Sequence, residues 1–137
     1  MAIYPTPEQI KLLMEGPQGQ PVVMLNLLRF KKRADASHEG DSGEQAYMRY
    51  AREMRKFVES KGGRFIWAGR VDSQVIGEES DEQFDVVGLV EYPSRKAFLD
   101  IAGDPHVTDN IGKHRAAGLE SQRLIAMTET TSLEAQD

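Results

Sequence analysis

Hydrophobic residues recur along this chain in two rhythms, and the alternation between them predicts the fold. Val22 to Phe30 is apolar at both odd and even positions, as in a strand buried on both faces. Between Glu44 and Ser60, the residues Tyr47, Tyr50, Ala51, Met54, Phe57 and Val58 fall at steps of three and four. Arg49, Arg52, Glu53, Lys56 and Glu59 take the other side, which predicts an amphipathic helix. Two strand-like runs follow, Arg64 to Ile76 and Phe84 to Tyr92. A second helix then opens at Ser94, and Ser121 to Thr128 forms a last strand. This order predicts an α+β, ferredoxin-like βαββαβ sandwich: a four-stranded antiparallel sheet with helices on one face.

Local signals punctuate the pattern. Thr6 and Pro7 open a short helix that carries Ile10, Leu13 and Met14 and ends at Gly16-Pro17. Ser42 and Gln45 have capping-box spacing ahead of the long helix, and Gly62-Gly63 stops it. The second strand is expected to bend near Gly69 or Asp72-Ser73. After Gly103-Asp104-Pro105, a further short helix places Val107, Ile111 and His114 on one side. Lys31 to Gly43 lacks periodicity and reads as either a disordered loop or a functional flap. Residues 1–137 are expected to form one domain: a helical extension over 1–20, the core over 21–128 and a mobile tail over 129–137.

Apolar residues on both strand faces leave one face of the sheet without a cover from this chain. Such a patch exceeds the few hundred Å² that monomers usually expose. A homodimer through the open sheet face would bury it, and Met24 and Val90 are assigned to that face.

Composition narrows the partners. The chain carries 17 basic and 22 acidic residues, a net charge of −5, and its only basic cluster, Lys31-Lys32-Arg33, is soon offset by Asp35, Glu39 and Asp41. That argues against nucleic acid as a partner. The absence of cysteine excludes disulfides, thiolate chemistry and cysteine-ligated metal. Without a secretory leader pattern or an apolar run near the roughly 20 residues of a membrane span, the expected location is cytoplasmic.

Several polar residues stand where chemistry needs them. Asn26 lies between Leu25 and Leu27 and must find a hydrogen-bond partner, either a neighbouring strand or a ligand. Glu91 shares parity with Val87 and Leu89; unpaired, it would be a raised-pKa base, while Arg29, Arg70 or Arg123 could neutralise it. Arg70 and Arg123 could equally clamp an anionic ligand. His114 has two readings, a group for proton transfer near neutrality or a helix-terminal cation with Arg115 beside it. Tyr47, Tyr50 and Trp67 could wall a pocket or fill the core, and Tyr50 falls mid-helix.

Metal and cofactor signals are missing. His106 and His114 are two helical turns apart, about 12 Å, too far to share a metal. No His-x-x-x-His spacing, phosphate-binding loop, dinucleotide fingerprint or nucleophile elbow occurs, so neither metal nor cofactor is expected. Gly40-Asp41-Ser42-Gly43 mimics a protease signature, but Ser42 reads better as a helix cap.

Four runs carry a resemblance: Leu25-Asn26-Leu27-Leu28-Arg29-Phe30-Lys31, Gly62-Gly63-Arg64, Glu91-Tyr92-Pro93-Ser94, and His114-Arg115-Ala116-Ala117-Gly118-Leu119. Together they resemble the domain of unknown function 1330 family, of the dimeric α+β barrel superfamily, over about Pro21 to Met127. The resemblance implies a ferredoxin-like protomer whose bare sheet face packs on a second copy. It also implies that His114 and Arg115 lie toward a cavity between helices and sheet. Superfamily relatives include cofactor-free monooxygenases, haem-degrading enzymes, muconolactone isomerases and stress proteins, so fold does not choose the chemistry.

Three readings follow. One is a small-molecule enzyme for oxygenation, isomerisation or proton transfer, with His114 or Glu91 as base and Asn26, Tyr50, Trp67, Arg70, Arg115 and Arg123 around the substrate. The second is a non-catalytic dimer that binds a small ligand or acts in stress. The third is a purely structural core. Convergence of these polar groups on an open cavity separates them.

Overall fold

Four strands form one antiparallel sheet: β1 (Val22–Phe30), β2 (Arg64–Arg70), β3 (Val86–Tyr92) and β4 (Leu119–Met127), in the order β2–β3–β1–β4. The computed structural model describes residues 2–130. Helices α1 (Pro7–Met14), α2 (Gly43–Ser60), α3 (Arg95–Ala102) and α4 (Gly112–Gly118) complete the α+β fold, and a π-helical turn, His106–Ile111, runs directly into α4. From β1 onward the order is the ferredoxin-like βαββαβ. Of the tail expected to be mobile over 129–137, residues 131–137 lie outside the described residues.

The caps form as their spacing predicts. Ser42 Oγ accepts from Gln45 N at 3.0 Å while Gln45 Oε1 accepts from Ser42 N at 2.8 Å. Thr6 and Gln9 make the same reciprocal pair at α1. Arg95 fastens α1 to the body. Its guanidinium is buried and donates to the carbonyls of Leu13 and Pro17 and to Thr128 Oγ1.

Strand parity sorts the sheet into two faces. Val22, Met24, Leu28, Val86, Val90 and Tyr92 point to the helices, where Met54 and Val58 of α2 and Ile101 of α3 cover several of them. Val23, Leu25, Leu27, Val87, Leu89 and Ile125 share the opposite, uncovered face with Trp67. The assignment of Met24 and Val90 to the bare face is therefore corrected: they are 2% and 7% exposed, under the helices. A sequence apolar on both parities does not say which parity the helices take.

The second strand stops at Arg70 instead of reaching Ile76. Val71 N still donates to Asp85 O, but the acidic stretch beyond turns across the bare face, where Glu82 accepts from Ser121 Oγ. Residues 72–76 are left without a ladder partner, and Val75 and Ile76 are almost fully exposed. Among the described residues no helix is long and apolar enough to cross a membrane.

On the helix side the apolar core is broken in two. One cluster gathers Val22, Met24, Met54, Val58, Val90 and Tyr92; the other gathers Leu28, Tyr47 and Leu119 with Phe30 and Val86. Between them the pairing register sets Ala68, Gly88 and Asn26 in one row across β2, β3 and β1. Two small residues and one amide there leave the sheet low where the clusters part.

Candidate functional site

At Gly88 that row faces open space on the helix side of the sheet, the trough. A methyl group added at Gly88 would meet nothing nearer than the Trp67 carbonyl oxygen at 3.9 Å. Tyr50, from the middle of α2, packs against both clusters and so bridges the gap. Ala68 at one end of the row and Leu124 at the other are exposed, which opens the trough at both sheet edges.

A chain of polar contacts closes on this row from β4 and α4. Asn26 Oδ1 accepts from Gln122 Nε2 at 2.9 Å, and Gln122 Oε1 accepts from Arg115 Nη2 at 2.7 Å. The same Arg115 nitrogen donates to the Ile3 carbonyl, and its guanidinium stacks on the Tyr4 ring at 5.2 Å. No carboxylate pairs with Arg115 among the described residues, and its Nε and Nη1 have no acceptor there. Arg95, by contrast, spends all three nitrogens on protein oxygens.

The phenols beside this cation stay protonated. Burial pushes the Tyr47 hydroxyl well above the usual phenol range, with Tyr50 adding to the shift and the Arg115 charge opposing it. Burial likewise raises Tyr50, again against Arg115, and burial followed by Tyr50 raises Tyr92. The Tyr47 and Tyr50 hydroxyls can therefore act as neutral donors near a fixed positive charge.

The structure thus brings together Asn26, Tyr50 and Arg115 and disperses the other candidates. His114 turns away from its neighbour Arg115: its Nδ1 meets Nε2 of the buried His38 at 2.7 Å, and His38 Nδ1 meets Ser37 Oγ at 2.9 Å. Burial lowers the His114 pKa, and His38, Lys113 and Arg49 lower it further against Glu53. Glu91 lies on the bare sheet face and takes Arg64, its register partner on β2, at 3.1 Å. None of the three arginines weighed for Glu91 fills that place. Trp67 is 59% exposed on the bare face, far from walling the trough. Arg70 pairs with Glu44, and Arg123 reaches Glu82 at 4.0 Å and covers the Phe84 ring.

Gln122, Gly88 and His38 are the residues that sequence reasoning missed. Gln122 carried one usable signal, the parity it shares with Leu124 and Ala126 on the last strand. Two outer grooves, of about 580 Å³ beside Asp41 and Arg49 and about 350 Å³ between Lys31 and Arg70, lie elsewhere. Of the arginines that line them, Arg49 pairs with Asp41 and Arg70 with Glu44. Among the described residues no group of three or more His, Asp or Glu side chains is placed to hold a metal.

No family model matches the sequence, and no curated protein matches it. Solved structures do. RPA0582 from Rhodopseudomonas palustris, a protein of unknown function, is 36% identical with a TM-score of 0.81, over 93% of this chain and 96% of that one. The methylated RPA0582 protein aligns at 34% identity with a TM-score of 0.84 over 96% of both chains. A dabb family protein with a ferredoxin-like fold from Mesorhizobium loti aligns at 15% identity with a TM-score of 0.48, over 80% of this chain and 97% of that one.

Proposed function

The chain belongs to the same family as RPA0582, a protein of unknown function, and from that premise we propose that it is a homodimer binding a small anionic molecule in each protomer's trough. Arg115 carries the reading. A guanidinium set between α4 and the sheet, with no carboxylate partner among the described residues and free donors on Nε and Nη1, matches a ligand carboxylate or oxyanion. Asn26 and Tyr50 would orient the rest of the molecule from floor and roof.

Binding is favoured over proton abstraction. Both candidate bases point elsewhere, His114 to His38 and Glu91 to Arg64 across the sheet. A catalytic version would need the ligand's own acidity, with Tyr50 and Arg115 holding an enolate; oxygenation or isomerisation by that route is the second reading. Motif order favours placing the RPA0582 family within domain of unknown function 1330. The bare face of Val23, Leu25, Leu27, Val87 and Leu89 favours a second copy as partner. The charge of −5 favours neither nucleic acid nor an anionic membrane surface, in keeping with a cytoplasmic protein.

Titration calorimetry with small carboxylates and their uncharged amides tests this. Wild type should take the acids and not the amides. Arg115→Met should weaken the acids by about tenfold or more, which is about 1.4 kcal/mol. Gly88→Val should fill the trough and weaken them while keeping a cooperative melt. Unchanged affinity in Arg115→Met would overturn the reading.

A further inference from the structure

We propose that Gln122 is a positioning residue that fixes the polarity of the trough, so that its ligand is a small oxo acid, with a carboxylate for Arg115 and a second oxygen acceptor for Asn26. This rests on the anionic-ligand reading of the same trough and adds the second functional group.

The polarity propagates along one hydrogen-bonded chain. Arginine has donors only, so the Gln122 atom facing it must be the carboxamide oxygen. The Gln122 nitrogen then faces Asn26, which must offer its own oxygen in return. Each amide's oxygen is thereby engaged inside the protein. The Asn26 amino group is left with one long contact, 3.3 Å to the Met24 carbonyl, and a second N–H with no protein acceptor among the described residues. Arg115 keeps Nε and Nη1.

Gln122 is itself held from behind, because its backbone N–H donates to the Ala2 carbonyl at 2.9 Å. Its place opposite Leu28 gives it the parity that faces the helices. The two donor sets, Arg115 and Asn26, are therefore one carboxamide apart. They call for a molecule with acceptors at two points. The protonated hydroxyls of Tyr47 and Tyr50 add donors and impose no negative charge. An amine or a simple fatty acid leaves at least one donor set unanswered, and a donor that the ligand shuts off from water without pairing it costs binding.

Four probes test it: 3-oxobutanoate and 4-oxopentanoate, with butanoate and pentanoate as the matching acids that lack the carbonyl. Affinities are measured by calorimetry on wild type, Gln122→Glu and Gln122→Met, with melting curves to confirm folding. Wild type should prefer at least one oxo acid by roughly tenfold over its plain partner. Gln122→Glu should lose affinity for all four, because its carboxylate would neutralise Arg115. Gln122→Met should keep carboxylate affinity but lose the oxo preference, since Asn26 could then rotate. A residue that only maintained the fold would not alter that ratio. Equal binding of oxo and plain acids by wild type would overturn this proposal and leave the anionic reading standing. A preference that persists in Gln122→Met would remove Gln122 from its positioning role. Failure of all four acids to bind wild type would overturn both readings.

Discussion

At the scale of residues, His114 and Arg115 show how little adjacency means on a helix. Successive side chains point about 100° apart, so only one of the two can face the sheet. Arg115 does, and His114 meets His38 edge-on, with ring planes at 88°. Between the facing nitrogens one carries a proton and the other accepts it, and protonating both rings would destroy the bond. The groups around His114 are His38 from the loop, Lys113 beside it on α4, and Arg49 and Glu53 on α2. With the folded-state pKa lowered by burial, the unfolded chain takes up a proton first as pH falls. The stabilisation is complete above about pH 6.5 and declines as pH drops through that value toward the lower folded pKa. Urea midpoints measured between pH 7.5 and 5 should therefore fall, and less so in His38→Gln; an equal fall in that variant would show that the pair is not responsible.

At the scale of elements, the segment expected to be a loose loop or flap turns out to cap a helix. Lys31 N donates to Gly118 O, Asp35 N to Ala117 O, and Lys31 Nζ reaches Ala116 O, so the β1–α2 connection takes the last carbonyls of α4. The fit is close. A Cβ at Gly118 would lie 2.2 Å from the Gly43 carbonyl oxygen and 2.8 Å from Tyr47 N, both backbone atoms. Gly118→Ala should cost about 1–3 kcal/mol of stability in chemical denaturation, with a normal unfolding slope. A loss below about 0.5 kcal/mol would mean that the helices part easily.

Element order and caps were legible in the sequence because period and capping chemistry are local. The faces were not, since Val22 to Phe30 is apolar at either parity and only the helix packing chooses. Asn26 was legible as an amide in need of a partner. The partner was not, because Gln122 lies 96 residues away in sequence and reaches Asn26 through the sheet register. Glu91 found Arg64 for the same reason.

At the scale of the whole molecule, the bare sheet face is the surface that the proposed dimer would bury. Leu25 and Leu89 are register partners at its centre, so Leu25→Lys sets a charge in the middle of the surface that a second copy would cover. Native mass spectrometry should find a dimer for wild type and monomer or aggregate for Leu25→Lys, whose protomer core is untouched. Met24→Lys, pointing under the helices, should instead fail to fold. A wild-type monomer in solution would exclude the barrel.

The carbonyl of Ala2, lodged against the outer side of β4, also bears on how far assembly can go. It occupies the Gln122 N–H, which would otherwise invite another strand, and so blunts that edge of the sheet. The far edge, β2, is guarded differently: its register breaks between Phe65 and Trp67, and Arg64 and Arg70 mark its ends. With both edges discouraged from lateral addition, only face-to-face contact remains. Such contact is used up once two copies meet, so the protein should stop growing at two instead of polymerising along its strands.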